Sequence, residues 1–103
     1  MMLNFVFIYH GGGKPKSAEA GADMMARWGA WMEELGEAMV NPGTPVGMSK
    51  TVSATGVTND GGSNPISGYS IVAADSMDAA LEIAKKCPHV DMGTIEVAEE
   101  FAM

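Results

Sequence analysis

His10 stands beside Tyr9 and ahead of three consecutive glycines, Gly11-Gly12-Gly13. An imidazole titrates near neutrality, so at a strand end lining a cleft it suits general acid or base work. In the plainer alternative it faces solvent or a backbone carbonyl. Asp60 is the carboxylate that would orient or activate it, although Asp60-Gly61 is equally an ordinary turn pair. Ser63 and Asn64 follow as polar anchors for a ligand, or simply as loop. Tyr9, Trp28, Trp31 and Tyr69 supply the aromatic surface a small-molecule pocket would use. Trp28 and Trp31 fall on adjoining sides of one helix, so one is expected to pack on a sheet and the other to line a pocket or a dimer contact.

Other constellations fall short of a chemistry. Cys87 and His89 flank Pro88, but zinc usually takes three or four ligands, so no metal site is assigned. Gly11-Gly12-Gly13-Lys14 has the composition of a phosphate loop without its pattern, which requires Ser or Thr after the lysine. Pro15 stands there instead, and the segment reads as a hinge or mobile lip. No Ser-His-Asp or Cys-His arrangement is legible with one cysteine and two histidines. No cofactor is signalled.

At 103 residues the chain is expected to be one domain, 1–103, around one core. Hydrophobic residues make up 47%, which argues against disorder. The formal charge of −7 would repel a phosphate backbone, so nucleic acid is set aside as a partner. A single cysteine excludes an internal disulfide and fits a reducing cytosol, so a cytoplasmic location is expected. The opening run does not read as a secretory leader. No apolar stretch approaches the roughly 20 residues of a membrane span, so no membrane partner is expected. The ten methionines read as core or dimer packing.

The elements that must position these residues follow from periodicity. Leu3 to Tyr9 is a strand apolar on both faces, with Leu3, Phe5, Phe7 and Tyr9 on one side and Val6 and Ile8 on the other. Ser17 is placed to cap a short turn, and Gly21 weakens continuity after it. Met24, Trp28, Trp31, Met32, Leu35 and Met39 recur at helical spacing from about Asp23 to Met39, and Asn41-Pro42-Gly43 should stop that helix. Val46–Met48 and Lys50–Thr58 read as extended, with Gly56 a bulge or a close contact. Gly68–Ala74 is a strand, and Asp75-Ser76 opens a second helix with Met77, Ala80, Leu81 and Ala84 on its buried stripe. Pro88 ends that helix, and Gly93–Ala98 is the last strand. The order β-α-β-β-α-β is the ferredoxin-like, or split βαβ, arrangement: an α+β sandwich of antiparallel sheet with both helices on one face. The other face keeps Val6, Ile8 or their odd-numbered neighbours. An apolar patch of that kind is usually covered, here by a second copy of the chain.

With the elements placed, the chain resembles the YCII-related (YciI-like) family of small dimeric proteins over nearly its whole length. The residues that carry the resemblance are Phe7-Ile8-Tyr9, the run Met25 to Glu34, Gly43, Asp60-Gly61-Gly62, Gly68-Tyr69, Ala74-Asp75-Ser76, Ala79-Ala80, Cys87-Pro88, Gly93 and Ile95-Glu96-Val97. The resemblance implies a ferredoxin-like sandwich that dimerises through its sheets into an α/β barrel. Two departures stand out. Asp60-Gly61 is followed by Gly62-Ser63, where a large branch of the family carries Pro-Phe. The founding branch carries a helix-1 histidine and an acid near that helix's end, suggested as a catalytic pair. Trp28 occupies the histidine's place here and Glu37 approximates the acid, so that pair does not transfer.

Two functions are compatible with these features. In the first, a homodimer joined through the open sheet face binds a small organic ligand between the sheet and helix 1. His10, Asp60 and Tyr69 are then its polar groups, and acid–base chemistry without a cofactor is the natural reaction class. In the second, the dimer is a non-catalytic structural or interaction module serving a partner enzyme or regulator.

Overall fold

A computed structural model describes residues 2–13 and 15–101; Lys14, the end of the glycine lip, lies outside the described residues. Strand β1 runs from Leu3 to Gly11 and helix α1 from Ala18 to Leu35. After a 3₁₀ turn, Gly36–Ala38, come β2 (Met39–Pro45), β3 (Thr51–Ser53), β4 (Gly56–Thr58) and β5 (Ile66–Ala74). Helix α2 spans Met77–Lys85, a second 3₁₀ turn spans Pro88–Asp91, and β6 spans Gly93–Glu99. The main sheet has the order β2-β5-β1-β6, antiparallel throughout. This is the ferredoxin-like order, with the small hairpin β3–β4 inserted between β2 and β5.

Alternation along β1 settles which face the helices cover. Phe5 and Phe7 are fully buried and Tyr9 nearly so. They share one core with Trp31, Val72, Ala74, Ala80, Ala84 and Cys87, contributed by both helices, by β5 and by the link after α2. Val6 and Ile8 point the other way and are half-buried, opposite Ile71 and Tyr69 on β5 and Ala98 and Glu96 on β6. The even-numbered side of β1 is therefore the open face.

The ends of helix α1 differ from the periodicity reading. Ser17 caps the whole helix, its side chain accepting from the Ala20 amide, so the helix starts five residues earlier than Asp23. Gly21 does not interrupt it. A Cβ at that position would press on Pro15 at 3.3 Å, so glycine lets the preceding loop fold back on the first turn. The helix ends at Leu35, short of Met39, because Gly36 takes φ 55° and its amide bonds back to the Met32 carbonyl.

The second strand also lies earlier than expected. Asn41-Pro42-Gly43 is not a helix stop but the middle of β2. Pro42 is tolerated because β2 is an edge strand, and the register against β5 slips on either side of Asn41. Asn41 Oδ1 accepts from the Gly43 amide at 2.8 Å, closing a local turn. Gly43 has φ 67°, and a Cβ there would run into the Tyr69 carbonyl, so only glycine fits. Val46–Met48 is irregular, and Lys50–Thr58 folds as the hairpin, not as one strand. Gly56 is neither bulge nor close contact; it opens β4 with φ 138° and nothing near its Cβ position. Every residue of the hairpin is exposed, and the radius of gyration of 15.0 Å exceeds the ~13 Å of a compact chain of this size. The hairpin therefore stands away from the core.

Trp31 is 5% exposed and donates its Nε1–H to the Ile83 carbonyl at 3.1 Å, fastening α1 to α2. Trp28 is half-buried and meets Trp31 edge-on with centroids 5.5 Å apart. We expect Trp31→Ala to cost about 3–5 kcal/mol, the range of buried tryptophan truncations, in urea denaturation. Trp28→Ala should cost clearly less. Equal losses would show that both rings are core.

Candidate functional site

The β1 end, the β5 start and the face of α1 enclose a cavity of about 480 Å³ on the helix side of the sheet. Its aromatic wall consists of Tyr9 from β1, Trp28 from α1 and His89 from the 3₁₀ turn after α2. Tyr9 meets Trp28 edge-on at 5.4 Å and the His89 ring at 5.2 Å. Met32 and Met92 add polarisable apolar surface, and Gly11, Gly12 and Gly13 form the lip. Those three glycines all have positive φ, a run no other residue type would adopt freely.

A hydrogen-bonded chain crosses the cavity's floor. The Tyr9 hydroxyl donates to Ser70 Oγ at 2.8 Å, and Ser70 Oγ donates to the Pro42 carbonyl at 2.9 Å. The displaced strand β2 brings that carbonyl into place. Burial pushes the Tyr9 phenol well above its ordinary range, with the Ser70 bond opposing in part, so Tyr9 stays protonated.

His10 lies on the opposite side of the sheet, consistent with its even position on β1. Its Nδ1 is 3.3 Å from the Pro65 carbonyl and its Nε2 is 3.0 Å from Glu96 Oε1. Carbonyl and carboxylate oxygens only accept, so both ring nitrogens are drawn into donating. The imidazolium is the form these neighbours favour, and the His10 pKa is raised, mainly by the Glu96 hydrogen bond. The loop before β5 does reach His10, as strand adjacency suggested, but it does so with backbone carbonyls.

Asp60 does not join that group. Its side chain accepts from the Gly62 amide at 3.1 Å and its carbonyl from the Thr51 hydroxyl at 2.8 Å, so it shapes the turn behind the hairpin. The His10–Asp60 pairing expected from the sequence is replaced by His10–Glu96, because Glu96 sits diagonally across from His10 on the open face. Of the other residues singled out from the sequence, Tyr9, Trp28 and Tyr69 border the cavity. Trp31 lies in the core, and Ser63 and Asn64 are exposed in the loop and do not line the cavity. Cys87 is fully buried, and burial pushes its thiol up to about 11, which leaves it protonated and inert. Among the described residues no group of three His, Cys, Asp or Glu side chains could hold a metal ion.

Ser70 and His89 are the cavity residues that sequence reasoning passed over. Ser70 had a signal: it shares a strand face with Val72 and Ala74, and a lone hydroxyl on an apolar face needs a partner. His89 carries no signal in the sequence beyond its place near Cys87, yet it is buried and its Nε2 lies 2.8 Å from the His10 carbonyl. The turn carrying it is held further by the Gly12 amide, which donates to the Met92 carbonyl, and by the exposed Arg27–Asp91 ion pair to α1.

A ferredoxin-like sheet with a cavity between its helix face and the glycine lip defines a class of small α+β domains. The chain belongs to the family of the YCII-related domain, whose model matches residues 2–102. Among solved structures it is similar to the 5-chloro-2-hydroxyhydroquinone dehydrochlorinase TftG from Burkholderia phenoliruptrix AC1100, in complex with 2,5-dihydroxybenzoquinone. The identity is 19%, the TM-score 0.54, and the match covers 96% of this chain and 93% of that one, which establishes likeness of fold. No curated protein matches the chain. No helix among the described residues is long and apolar enough to cross a membrane.

The His10 geometry carries a pH dependence. Its pKa is higher folded than unfolded, so its contribution to stability is complete below about 6.5 and fades as pH rises through the folded value. In an NMR titration, Glu96→Gln should lower the His10 pKa and Asp60→Asn should leave it unchanged. A shift with Asp60→Asn alone would restore the original pairing.

Proposed function

We propose that this chain is a small-molecule-binding protein whose ligand occupies the cavity between the sheet and α1, with acid–base chemistry available to it. The observation that carries this reading is the cavity itself. Its volume of about 480 Å³ lies within the range of small-molecule sites, and its wall combines aromatic surface with a few placed polar groups. Two of those groups, Tyr9 and Ser70, are fixed by hydrogen bonds, so little ordering is required when a ligand enters. That a protein of the same fold is a dehydrochlorinase binding a quinone supports a planar organic ligand by analogy of fold. His10 and Asp60, the catalytic candidates of the sequence reading, are not among the cavity's lining residues.

The functional unit on this reading is a homodimer through the open sheet face. Val6, Ile8, Ile71 and Ala73 form a continuous apolar strip there, across the two central strands. Light scattering should give twice 10.7 kDa, and Ile8→Asp should give the monomer mass. A monomeric wild type would remove the dimer from the proposal.

The interaction-module reading draws on the hairpin. Val52 and Val57 are 77% and 63% exposed on an arm whose residues are all exposed, as a docking element for a partner protein would be. Calorimetric titration with 2,5-dihydroxybenzoquinone and simple hydroquinones separates the two. Saturable binding of one ligand per chain, weakened at least tenfold by Trp28→Ala, is the expected result. No heat with any of them would favour the module.

A further inference from the structure

The two histidines are held in opposite ways. His10 has an acceptor on each ring nitrogen. His89 has one, the His10 carbonyl, 2.8 Å from Nε2. A carbonyl cannot donate, so Nε2 of His89 must carry the hydrogen, and in the neutral ring Nδ1 then has the free lone pair. Among the described residues Nδ1 has no hydrogen-bond partner. The Cε1–Nδ1 edge faces Gly12, where a Cβ would lie 3.3 Å from Cε1 and 3.9 Å from Nδ1. Gly12 and His89 both belong to the cavity wall. At Gly93 a Cβ would collide with the His10 carbonyl and come within 2.7 Å of His89 Nε2. The two glycines thus clear both edges of the imidazole, one for its anchoring bond and one toward the lip.

Resting on the cavity as a ligand site, we propose that His89, not His10, is its proton acceptor, and that the ligand class is a planar ring bearing an acidic hydroxyl. The ring lies against Tyr9 and Trp28. The hydroxyl O–H bond breaks, its electron pair stays on the oxygen, and the proton forms the Nδ1–H bond. The product is a phenolate beside a His89 imidazolium, whose Nε2–H is already held by the His10 carbonyl. No oxidant, metal or second reactant is needed. Tyr9 cannot compete for the proton, since its hydroxyl is protonated and committed to Ser70. A base with a fixed tautomer and one free nitrogen is what general-base chemistry on a phenol or enol requires.

The probe is 4-nitrophenol, whose absorbance reports its ionisation, together with ¹⁵N NMR of the imidazoles. In the free protein His89 should show the Nε2–H tautomer. On addition of 4-nitrophenol its Nδ1 should become protonated, and the bound probe's pKa should fall by about one unit from an adjacent cation. His89→Gln keeps an N–H for the His10 carbonyl but accepts no proton, so it should bind the probe without lowering its pKa. Binding to wild type with no change at Nδ1, or an equal pKa fall in His89→Gln, would overturn the role of His89 and leave the cavity reading standing. Wild type binding 4-nitrophenol no better than 4-nitroanisole, which has the ring but no hydroxyl, would overturn the ligand class. Absence of binding by 4-nitrophenol and the hydroquinones alike would overturn the cavity reading and this inference with it. The tautomer measurement on wild type holds even if the variant does not fold: an Nδ1–H ring in the free protein would by itself overturn the proposal.

Discussion

The alternation along β1 sends Phe5, Phe7 and Tyr9 beneath the helices and Val6, Ile8 and His10 to the far side of the sheet. β1 is hydrogen-bonded on both edges, to β5 and to β6, so its register is fixed twice over. A slip of one residue would exchange the faces and place a histidine in the core. Everything at the site inherits this constraint. Tyr9 can reach Ser70 because both stand on the helix side, and His10 can reach Glu96 because both stand on the other. The His10 backbone, meanwhile, offers its carbonyl to His89. One residue therefore serves both faces, with its side chain on one and its peptide group on the other.

The sheet and helices were legible where pattern and burial coincide. The alternation of β1, the start of α2 at Asp75-Ser76 and the inward Ile95 and Val97 of β6 could all be read from spacing. The region between α1 and β5 was not, because its signals compete. Asn41-Pro42-Gly43 has the composition of a helix stop, but Gly36 had already ended the helix five residues earlier. An edge strand can absorb a proline and two register slips, and no local propensity announces that.

The site was half legible for a related reason. Aromatic residues at helical or strand spacing announce a wall, so Tyr9 and Trp28 were found. Partners that depend on diagonal neighbours across a sheet are invisible until register is known. Glu96 is far from His10 in sequence, whereas Asp60 had a suggestive glycine beside it. The family resemblance anticipated the fold over almost the whole chain, and α1 carries no histidine from which a catalytic pair could be read.

The irregular strand β2 has a consequence for the behaviour of the protein at high concentration. A sheet edge is a template on which a foreign strand can lengthen the sheet, and that is how many folded proteins begin to aggregate. Here the edge is interrupted by Pro42, which has no amide hydrogen to offer, by the left-handed Gly43, and by Pro45. An incoming strand would find no amide hydrogen at Pro42 or Pro45, and at Gly43 an amide already donated to Asn41 Oδ1. The same distortion that lends the Pro42 carbonyl to Ser70 thus blunts edge-to-edge growth at this edge of the sheet, the one opposite β6.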